Sequence, residues 1–427
     1  MEIAIYYILT TILSPFLLIF YLMRLLRKKE TLVSIKEKFS FSFGKNNIDR
    51  NKKLIWIHSV SIGELNSIWS LVKRLNIMNK YNILVTTSTI TSSEIFKKHL
   101  NKIDNKDNIF YSFFPVDIPF VVKRFLKYWK PDLMLNVESE IWPCVLNETN
   151  KICKIISLNA KISEKSLKFW LKNKTFAKNI FNKFDVCFAQ TKDDLERLKK
   201  LGAENVEYYG NLKFCVDQSE INEEMLNKLS CIRDKKHRWL VNSTHKGEEE
   251  IVIEVHKLLK KDFPDLFTCI IIRHPNRREE VIELLKQNNI NFASFADGDK
   301  IDENTEILLY DKIGNLGVLF ELFKIVFMCG SLLEGIGGHT PVEASKQKCC
   351  TITGTFIPNN KFLFSELEKI DGSIILKDNL PTTIYEKIKY LIENPDIVEK
   401  IGVNAFNKTE ESSELLKLII NKIEKYV

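Results

Sequence analysis

Short apolar runs alternate with amphipathic runs along most of this 427-residue chain, and this alternation limits the possible folds more than any other feature. The apolar run "KLIWIHSV" precedes a helical pattern over residues 64–76, and "YNILVTTST" precedes "SSEIFKKHL". "RWLVNST" and "FTCIIIRHP" precede further helical patterns later in the chain. Strands that alternate with helices form parallel sheets covered by helices. The sequence therefore predicts a doubly wound α/β fold.

A charged stretch over residues 217–237 interrupts the alternation. A chain of this length exceeds what one core usually holds. We therefore predict two Rossmann-like domains, over residues 31–216 and 217–427. Ligands of such sheets bind outside the carboxyl ends of the strands, so we expect the site in a cleft that the two domains face. No GxGxxG follows a strand and no GxxxxGK[ST] occurs, which argues against a dinucleotide site and a P-loop.

Residues 1–30 are predicted to form a membrane anchor with a transmembrane helix over about 3–23. The 21 residues from Ile3 to Met23 carry no charge, and as a helix they would measure about 31 Å, which matches a bilayer core. A surface helix or a buried helix is the alternative, since Pro15 weakens the span. A cleavable signal peptide has its positive charges first, whereas here they follow the apolar run. The positive-inside rule then places the rest of the chain in the cytoplasm. The basic residues are Arg24, Arg27, Lys28 and Lys29.

Charge and composition limit the possible partners. The net charge of +8 favours anionic ligands or surfaces. The chain has no zinc-finger, homeodomain-like or aromatic–basic RNA-binding motif, so we expect no nucleic-acid partner. Nine scattered cysteines form no CxxC, and seven histidines form no HExxH or HxH, so we expect no metal site. Most cysteines have apolar neighbours, as reduced core thiols of cytosolic proteins do.

Candidate catalytic groups follow the predicted strands of the first half. Glu64 stands at a helix start after "SVSIG", and it is either an acid that complements the helix dipole or a general base. The helix N-terminus lowers the pKa of Glu64, whereas Glu138 nearby would raise it, and the sequence leaves open which influence wins. Glu138 and Glu140 end an apolar strand, where alternation places both on one face, so they need a cationic partner or shape a reaction centre. Lys213 ends the first half, where it is solvated or meets an anionic substrate.

Polar groups in the second half suit a phosphate. Ser243 and Thr244 precede a helix, as N-caps or as a phosphate site. Arg273 ends the strand "TCIII", where it binds a phosphate or forms a surface ion pair. Thr340 and Glu343 fit a capping box with proline at the first helical position. The glycines before this box also suggest close approach of a ligand, whose ribose hydroxyls a glutamate can bind.

In chain order, the motifs resemble the 3-deoxy-D-manno-octulosonic acid (Kdo) transferase family, whose members link Kdo to the lipid A precursor in Gram-negative bacteria. The resemblance implies a GT-B fold with the acceptor on the N-terminal half and CMP-Kdo on the C-terminal half. The blocks that carry it are "HSVSIGE" (58–64), "VESEIWP" (137–143), "LNAKISEKS" (158–166), "AQTKDDLERLKKLGA" (189–203), "GNLKF" (210–214), "STHKGEEE" (243–250), "RHPNR" (273–277), "DKIGNL" (311–316) and "GSLLEGIGGHTPVEAS" (330–345).

The resemblance implies roles for individual positions. Glu64 would deprotonate the acceptor hydroxyl, and Glu138 and Lys213 would stabilise the transition state. The family pattern has Glu at position 315 and Asn at position 340, where this chain has Asn and Thr; backbone contacts survive both changes. The positions matched to CMP binding are Ile272, Arg273, Ile313, Gly314, Asn315, Thr340, Pro341, Val342 and Glu343, with His339 intact beside them; Ser243 and Thr244 join these candidates.

The activity that the resemblance implies is metal-independent, inverting transfer of Kdo from CMP-Kdo to lipid IVA, without a cofactor, in lipopolysaccharide core biosynthesis. The protein would act at the cytoplasmic side of the bacterial inner membrane, where the basic residues after the anchor would meet anionic lipids. Two alternatives stay open. One is another membrane-anchored GT-B glycosyltransferase that uses a UDP-sugar and a lipid acceptor, and the other is a non-catalytic membrane-anchored binding protein.

Overall fold

The computed structural model describes residues 2–44, 46–215, 218–219, 221–312 and 314–427, with residue 413 described by its backbone alone. The chain forms two compact units, Met1–Cys215 with Ser412–Val427 and Val216–Glu411. The sequence analysis assigned all of residues 217–427 to the second domain, whereas the C-terminal residues belong to the first unit. Their apolar side chains enter its core because they lie on one face of the last helix. These side chains are Leu415, Leu416, Ile419 and Ile423.

The first unit is built on a sheet of seven parallel strands. Successive residues of its first strand enter two separate cores on opposite sheet faces, as alternation along a buried strand requires. In chain order, β1 to β7 are Lys53–His58, Tyr81–Thr87, Ile109–Phe113, Leu133–Val137, Lys154–Ala160, Val186–Ala189 and Val206–Glu207. Their spatial order is β3-β2-β1-β4-β5-β6-β7, so the direction of winding reverses between β1 and β4.

Helices cover both faces of this sheet. Several begin at a hydroxyl side chain that accepts the N–H of the third helical residue, as Ser61, Thr89 and Thr191 do. In chain order, α1 to α9 are Glu2–Leu26, Leu32–Lys38, Ile62–Met78, Ile90–Leu100, Pro119–Trp129, Pro143–Thr149, Glu164–Trp170, Lys174–Phe181 and Lys192–Leu201. Short 3-10 turns cover Leu171–Asn173 and Leu212–Phe214.

The second unit repeats this architecture with a sheet of order β10-β11-β9-β8-β12-β13-β14, also parallel throughout. The strands β8 to β14 are Arg238–Thr244, Phe267–Ile272, Phe292–Ser294, Ile307–Tyr310, Ile325–Met328, Cys350–Thr353 and Ser373–Ile375. The helices α10 to α17 are Glu223–Lys228, Glu248–Asp262, Arg278–Gln287, Leu316–Leu322, Val342–Lys346, Lys361–Glu368, Pro381–Glu393 and Pro395–Tyr426, with 3-10 turns at Ser230–Asp234 and Pro275–Arg277.

The predicted doubly wound α/β fold is confirmed by these two sheets. One predicted strand is shorter than expected: of "VEYYGNLKF", only Val206–Glu207 pairs with the sheet, and Lys213 lies in the 3-10 turn Leu212–Phe214. Helix α1 extends slightly beyond the predicted 3–23. Within the described residues it alone is long and apolar enough to cross a membrane, by length and composition, with a mean hydropathy of 2.1.

Candidate functional site

The carboxyl ends of β1 and β4 lie side by side where the first sheet reverses its winding. The loops that follow these two strands carry Glu64 and Glu138. Ligands of parallel sheets bind at such reversal points, so this edge is the first candidate site. We call it the carboxylate site and define it by Glu64, Glu138, Glu140 and Lys213.

Glu64 is the third residue of α3, and the loop before the helix fixes its side chain. The Ser61 hydroxyl accepts the Glu64 N–H at 3.2 Å. The Val60 N–H and the Ser61 hydroxyl donate to the Glu64 carboxylate at 2.7 and 3.1 Å. The residue is 9% exposed. The acid of the helix start is therefore also a nearly buried carboxylate at the strand ends.

Burial raises the pKa of Glu64 to about 7, and the charges of Glu138 and Glu140 act in the same direction. The hydrogen bond from Val60 N–H opposes this shift without cancelling it. The sequence left open which influence on this pKa wins, and the pKa is raised because loss of water around the carboxylate outweighs the favourable helix start. A carboxyl group with this pKa is about half ionised at neutral pH and accepts protons more strongly than an ordinary glutamate.

Glu138 lies just beyond β4, which ends at Val137, and its φ of +57° falls in the left-handed region. Alternation along a strand therefore does not apply to Glu138 and Glu140, and the prediction that they share a strand face is wrong. The Glu138 carboxylate forms an ion pair with Lys213 at 2.7 Å. The Glu140 carboxylate accepts the Trp142 indole N–H at 2.7 Å. The cationic partner that the sequence analysis required is thus Lys213.

Two asparagines hold the turn that carries Lys213. The Asn159 side-chain oxygen accepts the Leu212 N–H at 3.1 Å, and the Asn211 side-chain oxygen accepts the Lys213 N–H at 2.9 Å. The Lys213 side chain is 26% exposed. Its ammonium group is therefore positioned in the carboxylate site by a fixed turn rather than left free in solvent.

Besides the ion-paired Glu138, four buried side chains around the carboxylate site have a polar atom without a hydrogen-bond partner in the described part of the chain. An unsatisfied buried polar group costs about 1–3 kcal/mol, so such atoms indicate a place for water or a ligand. The sequence analysis did not select these residues, although each lies in a motif that it quoted. The atoms are His58 Nε2, Ser59 Oγ, Asn159 Nδ2 and Asn211 Nδ2.

His58 can supply an acceptor at this edge. Its Nδ1 lies 3.2 Å from the Thr86 carbonyl oxygen, and its ring stacks on Phe114. Burial lowers the pKa of His58 to about 3, so the imidazole is neutral. When Nδ1 donates to Thr86, Nε2 is left as an acceptor. The two asparagine amides, in contrast, have N–H donors to offer.

The loops after β8, β9 and β12 form a second candidate site, since these three strands are neighbours in the second sheet. We call it the basic site and define it by His245, Arg273, His274 and His339. Arg273 follows β9 directly, and its N–H donates to the Thr244 carbonyl at 3.0 Å. Its guanidinium is exposed and forms no ion pair within the described residues, so the predicted surface ion pair is not observed.

His245, in the loop after β8, contacts His339, in the glycine-rich loop after β12. His245 Nε2 lies 2.9 Å from His339 Nε2, and the rings stack. The pKa of both residues is lowered to about 4, mainly by burial, and the positive charge of Arg273 acts in the same direction. Both rings are therefore neutral at pH 7. An anion bound here meets one permanent charge and two imidazoles that can become protonated beside it.

Glu248 connects two of the three loops of the basic site, the loop after β8 and the loop after β12. It is fully buried, and its carboxylate accepts four backbone N–H groups. His245 and Gly330 donate to Oε2 at 2.9 Å each, and Ser331 and Leu332 donate to Oε1 at 3.0 Å each. These four backbone N–H groups donate to Glu248 and not to a carbonyl oxygen of a helix or strand. Glu248 therefore fixes the loop after β8 against the loop after β12.

The structure places the remaining predicted residues near the same strand ends. Ile272 is buried as the last residue of β9. Ser243 has a φ of +63°, and the buried Thr244 hydroxyl has no hydrogen-bond partner among the described residues. Gly314 and Asn315 both have positive φ before α13, and the Asn315 amide donates to the Tyr310 hydroxyl. Ile313 lies outside the described residues.

The predicted capping box at Thr340 is wrong. Helix α14 begins at Val342 with Pro341 as its N-cap, so the helix starts one residue later than the box requires. The Thr340 hydroxyl accepts the Val342 N–H at 3.4 Å instead of capping the third helical residue. Glu343 lies in the first turn of α14.

Replacing Gly338 by alanine is expected to destabilise the second unit by about 1–3 kcal/mol. Gly338 has a φ of +79°, and a Cβ there would lie 2.6 Å from Ile357 Cγ2 and 3.2 Å from its Cα. The Gly338 N–H also closes the loop by donating to Gly330 O at 2.7 Å. Chemical denaturation measures the change. Gly335→Ala is the matched control, because Gly335 has positive φ but open space around it; equal losses in both variants would contradict the steric argument.

Two parallel, doubly wound units with polar groups at their carboxyl strand ends define a GT-B type fold. A solved glycosyltransferase from Rickettsia africae has the same fold, with a TM-score of 0.56 and 15% identity over 88% of this chain and 98% of that chain.

Sequence comparison gives the family. The family model described as 3-deoxy-D-manno-octulosonic-acid transferase (kdotransferase) matches residues 34–216. The chain is 30% identical to the 3-deoxy-D-manno-octulosonic acid transferase of Rickettsia felis over 99% of each chain. It is 28% identical to that of Haemophilus influenzae over 87% of each chain. The chain belongs to the Kdo transferase family and is a glycosyltransferase.

Proposed function

We propose that this protein transfers Kdo from CMP-Kdo to the tetraacyl lipid A precursor, lipid IVA. The observation that carries the proposal is the nearly buried Glu64, with its pKa raised to about 7, beside the Glu138–Lys213 ion pair. A glutamate that only complements the helix dipole gains nothing from a raised pKa. A general base needs a pKa near the working pH.

On the acceptor side, the ionised Glu64 carboxylate removes the proton from the sugar hydroxyl as its oxygen attacks the Kdo anomeric carbon. Attack from the face opposite to the leaving CMP inverts the anomeric centre. Lys213 and the unpaired amide donors of Asn159 and Asn211 suit an anionic group such as the carboxylate that Kdo carries. Glu138 holds the Lys213 ammonium in place through its ion pair.

On the donor side, Arg273 binds the phosphate of CMP-Kdo, and His245 and His339 line the same place. As the glycosidic bond breaks, negative charge grows on the departing phosphate, and Arg273 stabilises it. Glu343 is proposed to bind the ribose hydroxyls, with backbone contacts from Ile272, Gly314 and Asn315. The proposal involves no metal or cofactor.

We place the protein at the cytoplasmic face of the bacterial inner membrane. The apolar helix α1 supports membrane attachment, and the basic residues at its end favour an anionic leaflet. An enzyme with a lipid acceptor and a water-soluble donor works at such a boundary. The membrane then supplies the acceptor as well as the attachment.

Replacing Arg273 by alanine is expected to weaken CMP binding about 10–100-fold, because one charge-assisted contact to phosphate contributes about 1.5–3 kcal/mol. Calorimetric titration of the full chain with CMP measures the change. The matched control is Lys246→Ala, which removes an exposed charge that is paired loosely with Glu280 at 3.4 Å. Equal effects of the two substitutions would mean that Arg273 acts only through net charge.

The donor is tested by offering CMP-Kdo and a UDP-sugar separately to the purified chain with one lipid acceptor. We expect CMP release that depends on the acceptor and no UDP release. Release of UDP alone would favour the other class of GT-B transferase. Tight CMP binding without turnover of either donor would favour a binding protein.

A further inference from the structure

The N-terminal half of helix α1 contacts the rest of the first unit. The Tyr6 hydroxyl donates to Asp117 at 2.8 Å, and the Tyr7 hydroxyl donates to Glu148 at 2.5 Å. Thr10 Oγ1 lies 3.9 Å from the sulfur of Cys144. These are polar contacts to fixed groups, since Asp117 also accepts the backbone N–H groups at the start of α6. The beginning of α1 is therefore bound to the folded unit.

The C-terminal half of α1 is docked as well. Its apolar side chains pack on a small core that includes Ile35, Phe39, Ile118 and Val121. From Tyr6 to its last packed residue the helix runs about 28 Å at 1.5 Å per residue. The docked side chains of this half are Leu17, Leu18, Tyr21 and Leu25. One face of α1 thus follows the surface of the unit for nearly its whole length.

The opposite face of α1 is apolar and exposed. The partly buried positions recur every three or four residues, and the positions between them face outward. Tyrosine, serine and arginine lie on the docked face, whereas the outward face has no charged side chain. Its large apolar side chains are 44–84% exposed. They are Ile5, Ile8, Leu9, Ile12, Leu13, Phe16, Ile19, Phe20, Leu22, Met23 and Leu26.

Neighbouring groups extend this apolar face and add positive charge. Phe41 is 59% exposed and stacks on Phe39, which contacts Tyr21 of α1. The Arg124 guanidinium lies over Phe41 and the exposed Phe120. Arg27, Lys28 and Lys29 follow α1 and are exposed. Apolar side chains rimmed by cations match the boundary between the headgroups and acyl chains of an anionic bilayer.

A helix that keeps these contacts cannot also cross a bilayer. Asp117, Glu148 and Lys151 lie beside its first half, and Glu30 and Lys38 pair beside its end. Crossing would place one of these groups at hydrocarbon depth or would break the docked face. Charged groups within hydrocarbon cost several kcal/mol each.

We propose that α1 remains docked on the first unit and lies in the plane of an anionic lipid surface, with its outward face among the acyl chains. Because Asp117 follows β3, the helix passes the carboxyl edge of the first sheet. The same edge carries the carboxylate site. Attachment in the plane of the membrane therefore brings this edge to the lipid surface, whatever the acceptor is.

A cross-link tests whether α1 stays docked. Thr10→Cys places a thiol beside the native Cys144, and Thr11→Cys, on the outward face, is the matched control; both variants carry Cys231→Ser. The full chain is bound to vesicles of phosphatidylethanolamine and phosphatidylglycerol, oxidised with copper phenanthroline and floated. We expect the bound Thr10→Cys chains to form the disulfide at least about tenfold more often than Thr11→Cys. Cross-linking confined to unbound chains, or absent from both fractions, would overturn the proposal.

A second measurement tests the outward face. Ile12→Glu introduces a charge on the outward face, where Ile12 is 63% exposed, and we expect it to weaken vesicle binding about tenfold or more. Ile77→Glu is the control, since Ile77 is equally apolar and 78% exposed but lies on α3, which packs on the opposite face of the sheet. If both variants float equally well, the outward face of α1 does not contact lipid and the proposal is wrong.

Discussion

Replacing Glu64 by glutamine is expected to lower kcat for Kdo transfer by about 10²–10⁴-fold, because glutamine keeps the shape of the side chain but cannot accept the proton. CMP affinity should stay nearly unchanged, since the residues proposed to bind the donor belong to the second unit. Radiolabelled Kdo transfer to the lipid acceptor measures kcat, and calorimetric titration measures CMP binding. Loss of both together would point to a structural role for Glu64 instead.

The pH dependence gives an independent test of the base. With a pKa of about 7, Glu64 is protonated at pH 5 and ionised at pH 9. The rate should therefore rise with pH through about 7 and then level off. A rate that is flat between pH 5 and 9 would contradict a carboxylate base with this pKa.

The free energy of unfolding of Glu64→Gln shows whether this variant loses activity through its chemistry or through unfolding. The raised pKa means that the Glu64 contribution to stability is full below its unfolded pKa of 4.5 and is lost as pH rises through about 7. At pH 8 the wild-type protein retains a costly buried charge that Glu64→Gln lacks. The variant should be about 2–3 kcal/mol more stable at pH 8 and nearly unchanged at pH 4. An inactive variant that is less stable at pH 8 would undermine the assignment.

Replacing Glu248 by alanine is expected to destabilise the second unit by about 3–5 kcal/mol. The substitution removes the acceptor of four buried N–H groups in two loops, and no nearby side chain replaces it among the residues described. Denaturant unfolding measures the loss. CMP affinity should fall too, because Glu248 fixes the loop that carries His245 against the loop that leads to His339.

The matched control for Glu248 is Glu250→Ala. Glu250 lies in the same first turn of α11 but is exposed, so its loss should cost less than about 1 kcal/mol. If both substitutions have the same small effect, the buried carboxylate does not hold the two loops together.

The sequence predicted those features of the fold that depend on local pattern. Apolar runs bounded by turns located nearly all the strands, and the strand ends then located Glu64, Glu138 and Arg273. Parallel sheets bring the carboxyl ends of neighbouring strands together, so a strand order was not needed to group Glu64 with Glu138. The return of the C-terminal helix to the first unit was not predictable in this way, because its apolar face fits either core.

The chemistry of the sites depended on contacts between distant residues. The pKa of Glu64 follows from burial, which only the folded chain defines, so the sequence left the direction of its shift open. The left-handed backbone at Glu138 has no sequence signature, so alternation failed there. The unpaired amides of Asn159 and Asn211 became visible only once their partners were known. The contacts of helix α1 with Asp117 and Glu148 join residues more than 100 positions apart, so the sequence could not reveal them.

The central claim is that this chain attaches Kdo to a lipid A precursor. The most direct test is the mass of the lipid after the purified full-length protein is incubated with CMP-Kdo and the tetraacyl disaccharide bisphosphate. The account predicts a gain of one or more Kdo residues with the wild-type chain and no detectable gain with Glu64→Gln under the same conditions. An unchanged lipid with the wild-type chain, or equal products from both chains, would contradict it.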